Sequence, residues 1–237
     1  RYWLSIADSD VLLWVMGIAT GLNLDVTICE PDVSPLAVQG PKSATLMRRV
    51  FGSKIEKMGF FEIAQFQFGD YDFLISRSGY SKQGGYEIYV EGSEISQSLW
   101  NTLFEAGYDL NVRAGCPNLI ERIEAGLLSY GNDMTLANTP FECGMGKFLP
   151  DKITLDCIGA DTLNLDEIRS PSKVIRSLSI EYSHQIYCEE PWGIYNGNNE
   201  KVGQITSAAY SPDFEKVVAL GMIKSDSLKE EKDLYTI

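Results

Sequence analysis

An acidic side chain lies among aromatic residues in the stretch RSGYSKQGGYEIYVEG, residues 77–92. The alternation of a β-strand places Glu87 and Tyr89 on one face, with the apolar side chains between them on the other. A carboxylate beside aromatic rings can accept paired hydrogen bonds from an amino-substituted heterocycle, while the rings supply a flat stacking wall. A pterin or a guanine has such an edge. The alternative is an exposed edge strand on which Glu87 is merely solvated.

Neighbouring segments predict the sheet that would position this acid. FFEIAQFQF from Phe60 and YDFLISRS from Tyr71 both alternate in the strand manner, and the glycine-rich turn joins them to YEIYV. Together they predict an antiparallel sheet. Residues 93–106 and 118–128 each have one apolar helical face, and we expect both helices to pack onto that sheet.

The sequence before residue 60 and the sequence after residue 166 predict two further groups of strands and helices. RYWLSIA and LDVTIC are expected to be strands with an apolar helix over residues 11–19 between them, and SPLAVQ is expected to be a strand followed by a helix over residues 42–50. Beyond Asp166, short strands between turn signals predict a small β-barrel or sandwich, with KVIRSLSIEYS and VVALGMI as its clearest strands. We therefore predict two domains, residues 1–165 and 166–237.

Composition excludes several function classes. Thirty-three acids against 20 bases give a net charge of −13, which disfavours nucleic acid or an anionic membrane as a partner. The longest apolar run, residues 11–19, is too short to cross a bilayer. Five scattered cysteines with one histidine, His184, predict free buried thiols in a reducing, cytoplasmic compartment and no metal site. Because residue 1 is Arg and the chain opens inside a strand-like segment, we expect it to lack its natural start.

A second stretch, CPNLIERIEAGLLSYGND, carries a longer motif. It resembles the folate-dependent aminomethyltransferase family, the glycine cleavage T-protein family. The motif of that family runs as arginine, a hydrophobic residue, Glu-Ala-Gly and then Tyr-Gly-Asn-Asp. The matching positions here are Arg122, residues 124–126 and residues 130–133. Similar segments follow the family order along nearly the whole chain: LAVQGPKS, TPFECGMGKF and GQITSAAYSPDFEKVVALGMI.

The resemblance implies a fold and a set of ligand contacts. It implies an α+β folate-binding body, a C-terminal small β-barrel domain and tetrahydrofolate as cofactor. Glu87 would hold the amino edge of the pterin, and Arg122 would be a ligand-binding arginine, with a surface salt bridge as its alternative. A narrower resemblance, to a sulfonium-demethylating branch of the family, implies pocket roles for Ser5, Phe61 and Tyr89. Ordinary packing is the alternative for these three.

That narrower resemblance also implies a reaction. One methyl group of dimethylsulfoniopropionate would pass to tetrahydrofolate, leaving methylthiopropionate and 5-methyltetrahydrofolate. A sulfonium carries its own leaving group, so positioning and desolvation can supply most of the acceleration without a metal or a covalent intermediate. The expected partner is a small-molecule sulfonium substrate, and a homodimer is the candidate assembly.

Two alternative functions stay open. One is an aminomethyltransferase of the glycine-cleavage type, although the substrate arginine of those enzymes has no clear counterpart near Pro191 and Trp192. The other is a non-catalytic folate-binding protein. Tyr130 and Asn132 are polar enough to contact a ligand, but Tyr-Gly-Asn-Asp also suits a turn that ends a helix.

Overall fold

The computed structural model describes residues 1–6, 11–182, 188–228 and 234–236. The chain packs into two compact units, Arg1–Pro117 and Asn118–Ile237, each with helices and an antiparallel sheet. The predicted α+β class is therefore confirmed. The domain division after residue 165 stays a prediction, and His184 lies outside the described residues. Within the described ranges, no helix has the length and apolar character needed to cross a membrane.

The first unit is built on a four-stranded sheet in the order β1-β4-β3-β2. Its helices and strands are α1 Leu12–Gly21, β1 Val33–Gln39, α2 Ser43–Phe51, β2 Ile63–Phe68, β3 Tyr71–Ser76, β4 Gly85–Glu91 and α3 Ser93–Ala106, with a 3₁₀ turn at Ser53–Lys57. All strand pairs are antiparallel, as the three alternating segments predicted.

Strand alternation gives this sheet one apolar face. The alternate residues Ile88 and Val90 of β4 are buried against Leu46 of α2 and Leu99 and Leu103 of α3. The helix over residues 93–106 forms with the predicted bounds, and its apolar stripe packs on the sheet. Burial of that stripe stabilises the helix more than its intrinsic propensity does.

Truncation of this core is expected to be costly. Leu99 is fully buried, so Leu99→Ala should lower the free energy of unfolding by about 2–5 kcal/mol through lost burial and the cavity left behind. Urea denaturation followed by circular dichroism measures the change. Leu13→Ala on α1 is the matched control, because that leucine is 76% exposed and its truncation should cost well under 1 kcal/mol. Equal losses for the two variants would contradict this packing.

Two predicted strands are wrong. Residues 1–6 and 24–29 have no regular secondary structure, although RYWLSIA and LDVTIC have strand-like composition. Composition makes a strand only where a neighbouring strand supplies backbone partners, and no described strand pairs with either segment. Leu24 instead closes the end of α1, where its N–H donates to the carbonyl of Ala19 at 2.9 Å.

The second unit is built on a five-stranded antiparallel sheet in the order β5-β8-β7-β6-β9. Among the described residues this sheet is open. Its elements are α4 Leu119–Glu124, α5 Ala160–Leu163, α6 Asp166–Arg169, β5 Lys173–Ile180, β6 Trp192–Tyr195, β7 Lys201–Ser211, β8 Lys216–Lys224 and β9 Tyr235–Thr236, with 3₁₀ turns at Gly146–Phe148 and Ser225–Leu228.

Helix α4 differs from its prediction in length and in packing. It ends at Glu124 rather than near residue 128, because Gly126 takes a left-handed conformation with φ of 70° that stops the helix. Its buried Ile123 packs with Ile175 and Leu220 of the second sheet, not with the first sheet. Helical periodicity identifies a buried face but does not identify its partner.

Candidate functional site

Glu87 lies in the middle of the first sheet. Its strand, β4, runs between β1 and β3, and Glu87 pairs with Ala37 on one side and Ser76 on the other. The side chain is half-buried, on the face opposite the core, as the alternation predicted. The alternative of a solvated acid on an exposed edge strand is therefore wrong.

The face that carries Glu87 is partly apolar. Directly paired residues of an antiparallel sheet share a face, so Glu87 is grouped with Ser76 and Ile63, and Tyr89 with Leu74. Ile63 is 54% exposed and Leu74 is half-buried. A half-buried carboxylate beside an open apolar floor suits a flat heterocycle that has one hydrogen-bonding edge.

Tyr89 lies next but one to Glu87 on the same face. Its half-buried ring meets Trp3 edge-to-face, with ring centroids 5.9 Å apart and planes at 71°. This contact brings the N-terminal segment to the open face of the sheet, where Ser5 is exposed. Sequence reasoning missed Trp3, since nothing in its local pattern points to a partner more than 80 residues away.

The sequence had predicted Phe61 within a strand, and this is wrong: Phe61 lies in the turn before β2, which begins only at Ile63. Its φ of 63° is in the left-handed region, which is rare for a bulky residue and stores about 1–3 kcal/mol of strain. The backbone N–H donates to the carbonyl of Arg77 at 3.0 Å, which places the turn at the end of the sheet where β3 leaves it. The residue is 65% exposed, and the centroid of its ring lies 4.1 Å from that of Phe60.

The side chain of Gln39 on β1 binds the glycine-rich loop between β3 and β4. Its Nε2 donates to the carbonyls of Ser78 at 3.1 Å and Tyr86 at 3.3 Å, and Ser81 Oγ donates to its Oε1 at 2.9 Å. A Cβ at position 79 would lie 2.0 Å from Gln39 Oε1, so a larger residue there would displace the Gln39 side chain from these hydrogen bonds. The glycines of the motif thus let the loop close over Gln39 beside Glu87.

Arg122 is buried in the second unit, with a relative exposure of 4%. Its Nη1 donates to Asp133 Oδ2 at 2.8 Å and to the carbonyl of Leu127 at 3.2 Å, and its Nη2 donates to Ser207 Oγ at 2.7 Å. The alternative of a surface salt bridge is therefore wrong. The carboxylate that Arg122 faces in this structure belongs to the protein, and its contact with a ligand stays a prediction.

Asp133, the last residue of the Tyr-Gly-Asn-Asp motif, was missed by sequence reasoning. Besides Arg122, its carboxylate accepts hydrogen bonds from Ser129 N at 2.8 Å, Ser207 Oγ at 2.7 Å and Thr206 Oγ1 at 2.5 Å. Two consecutive residues of β7 reach one carboxylate because the strand has a bulge between residues 205 and 207.

The turn motif itself shapes this network. Gly131 has a φ of 90°, and its N–H donates to the carbonyl of Met134 at 2.8 Å, so Asp133 points inward while Asn132 is exposed and Tyr130 half-buried. The only sequence signal for Asp133 was its place in the motif, because its two hydroxyl partners lie more than 70 residues further along the chain.

The five cysteines are all free thiols, but only one is buried. Cys143 is buried and Cys188 half-buried, whereas Cys29, Cys116 and Cys157 are exposed, so the expectation of buried thiols is wrong for these three. Burial raises the pKa of the Cys143 and Cys188 thiols, which keeps them protonated and unreactive near neutral pH. Among the residues that the structure describes, no three His, Cys, Asp or Glu side chains form a group that could hold a metal ion.

Comparison with protein families decides the relationship. Residues 1–152 match the profile described as GCVT N-terminal domain, and residues 173–236 match the glycine cleavage T-protein C-terminal barrel domain. The chain belongs to the glycine cleavage T-protein family. The family predicted from the motifs around Glu87 and Arg122 is therefore confirmed.

Curated members of the T-protein family include two with different activities. The chain is 51% identical over 223 residues to dimethylsulfoniopropionate demethylase DmdA of Ruegeria pomeroyi, covering 94% of this chain and 60% of that protein. It is 31% identical over 215 residues to an aminomethyltransferase of Pseudothermotoga lettingae, covering 90% of this chain and 58% of that protein. The chain thus spans about three-fifths of the length of these relatives.

A solved T-protein structure has the same fold. The crystal structure of glycine cleavage system aminomethyltransferase T from Bartonella henselae matches with a TM-score of 0.74 and 21% sequence identity, over 95% of this chain and 62% of that chain. At this identity the match concerns the fold alone, and it agrees with the α+β class.

Proposed function

We propose that this T-protein family chain acts in a tetrahydrofolate-dependent methyltransferase that demethylates dimethylsulfoniopropionate to methylthiopropionate and forms 5-methyltetrahydrofolate. The observation that carries the proposal is the half-buried carboxylate of Glu87 on the open, partly apolar face of the first sheet. The identity of 51% to a protein of that name supports the choice of substrate within the family.

The residues around Glu87 fit a reduced pterin. An ionised carboxylate accepts hydrogen bonds on both oxygens, which matches the amino group and adjacent ring N–H of a pterin edge. Tyr89 offers an aromatic ring on the face of the sheet that carries Glu87, and Phe61 offers one at the end of the sheet. Ser5 adds an exposed hydroxyl in the segment of Trp3, whose ring contacts Tyr89. The assignment of Arg122 as a folate contact rests on the family motif alone.

The chain's own part in the reaction is binding, orientation and exclusion of water. When bound, tetrahydrofolate supplies a ring nitrogen that accepts the methyl group. Glu87 would fix the plane of the pterin, and the ring of Tyr89 or Phe61 would hold the sulfonium by cation–π attraction. The aromatic ring would replace part of the water around the positive charge of the sulfonium. That charge disperses as the carbon–sulfur bond breaks and the electron pair of the bond stays on sulfur. The departing thioether needs no proton from the protein, and the proton that the methyl group replaces on the ring nitrogen would pass to solvent.

An assay with two methyl or aminomethyl donors tests the proposal. The chain is incubated with tetrahydrofolate and either dimethylsulfoniopropionate or a glycine-derived aminomethyl donor, and folate products are separated by liquid chromatography. Formation of 5-methyltetrahydrofolate that depends on the sulfonium is the expected result. Turnover with the amine donor alone would indicate an aminomethyltransferase. Folate binding without turnover of either donor would indicate a non-catalytic folate-binding protein.

We also propose a setting that follows from the sequence. The net charge of −13 and the free thiols suit a cytoplasmic enzyme whose partners are small molecules rather than nucleic acid or membrane. A homodimer stays a prediction, which light scattering of the purified chain would test.

A further inference from the structure

Two serine hydroxyls connect Glu87 to the interior of the first unit. Ser78 Oγ donates to Oε2 of Glu87, and Ser76 Oγ lies 2.5 Å from Ser78 Oγ. A hydroxyl has one proton, and Ser78 gives its proton to the carboxylate, so Ser76 is the donor in the second bond. The chain of hydrogen bonds therefore has one direction, from Ser76 through Ser78 to Glu87.

Both serines are held by elements that do not depend on a ligand. Ser76 is 7% exposed and lies directly across the ladder from Glu87. Ser78 is half-buried at the start of the glycine-rich loop, where its carbonyl accepts from Gln39. A glutamate side chain with a rigid donor on one oxygen loses most of its rotational freedom before a ligand arrives.

We propose that Ser78 is the positioning residue of this site: it fixes the plane of the Glu87 carboxylate so that the acid recognises the amino edge of a pterin, and Ser76 in turn holds Ser78. The inference rests on the proposed function and adds to it a specificity role for two residues outside the predicted site. Ser78 acts through Glu87, and its hydroxyl need not touch the ligand.

Replacement of the hydroxyl separates positioning from general stability. Ser78→Ala is expected to weaken tetrahydrofolate binding about 3- to 10-fold, because the Glu87 side chain is then no longer ordered before the ligand arrives and has to be immobilised on binding. Binding of an analogue with a methyl group in place of the 2-amino group should change little, because that analogue does not use the paired edge. Ser78→Thr keeps the hydroxyl and should restore most of the preference for the amino compound. Isothermal titration of each variant with both ligands measures the two affinities.

Two further serines serve as controls. Ser34 is exposed on β1 of the same sheet, so Ser34→Ala should bind like the wild type. Ser81→Ala removes the loop hydroxyl that donates to Gln39 and reports on loop order alone. Equal losses for Ser78→Ala and Ser81→Ala, with the preference for the amino compound intact, would overturn the inference.

The results also separate this inference from the function on which it rests. If the wild type binds tetrahydrofolate and Ser78→Ala binds it with the same affinity, the positioning role is overturned and the proposed function stands. A wild-type chain that binds no tetrahydrofolate overturns both. Thermal melts of all variants show whether a loss follows from unfolding, and Ser78→Thr keeps the inference falsifiable if Ser78→Ala does not fold.

Discussion

Glu87→Gln is expected to weaken tetrahydrofolate binding by about 100-fold or more, and turnover should fall with it. In the proposed complex the carboxylate would accept two charge-assisted hydrogen bonds from a pterin edge, each worth about 1.5–3 kcal/mol. A glutamine amide keeps one acceptor but turns its NH₂ group toward the donors of the ligand, so one attractive contact becomes a repulsive one. The side chains are nearly the same size, and the sheet around position 87 should be unchanged.

The same strand supplies the control for this experiment. Glu91 lies on the same face of β4, four residues further along, and is exposed. Glu91→Gln removes the same charge and should alter affinity by less than about 0.5 kcal/mol, because an exposed residue away from the site contributes little. Fluorescence or calorimetric titration measures both variants. If Glu87→Gln folds and binds as tightly as the wild type, the pterin site is not at Glu87.

The face occupied by Glu87 follows from sequence because the strand period is two, and the alternation in YEIYV survives any tertiary arrangement. Its place in the middle of the sheet does not follow from sequence. The order β1-β4-β3-β2 depends on pairing Glu87 with Ala37, which is 50 residues earlier, and local pattern carries no information about that pairing. The sequence alone therefore could not distinguish a central strand from an edge strand of similar composition.

Arg122 shows the same limit in another form. The motif predicted a functional role for the residue, and a helix was expected there, although it ends earlier than predicted. Its burial depends on Ser207, 85 residues further along, and on an aspartate that the turn at Gly131 points inward. The sequence alone could therefore not distinguish a surface ion pair from a buried one, although the two differ several-fold in energy.

Asp133→Asn is expected to lower the free energy of unfolding by about 3–5 kcal/mol, because it leaves the buried guanidinium of Arg122 without a countercharge. The Asp133 side chain has a relative exposure of 0% and that of Arg122 5%. The pair of Lys216 and Glu181 in the same unit is a matched control. It has the same 2.8 Å separation as the Arg122–Asp133 pair, but its side chains are 42% and 85% exposed.

Glu181→Gln should therefore cost at most about 1 kcal/mol, since water screens an exposed pair and solvates the lysine that remains. Urea denaturation of both variants at neutral pH measures the difference. Arg122→Met combined with Asp133→Asn should cost less than the sum of the two single changes, because the double variant leaves no unpaired buried charge. Equal costs for Asp133→Asn and Glu181→Gln would mean that burial does not set the energy of this pair. Arg122 would then be available for the ligand role that its motif predicts, rather than committed to holding α4, the Tyr-Gly-Asn-Asp turn and β7 together.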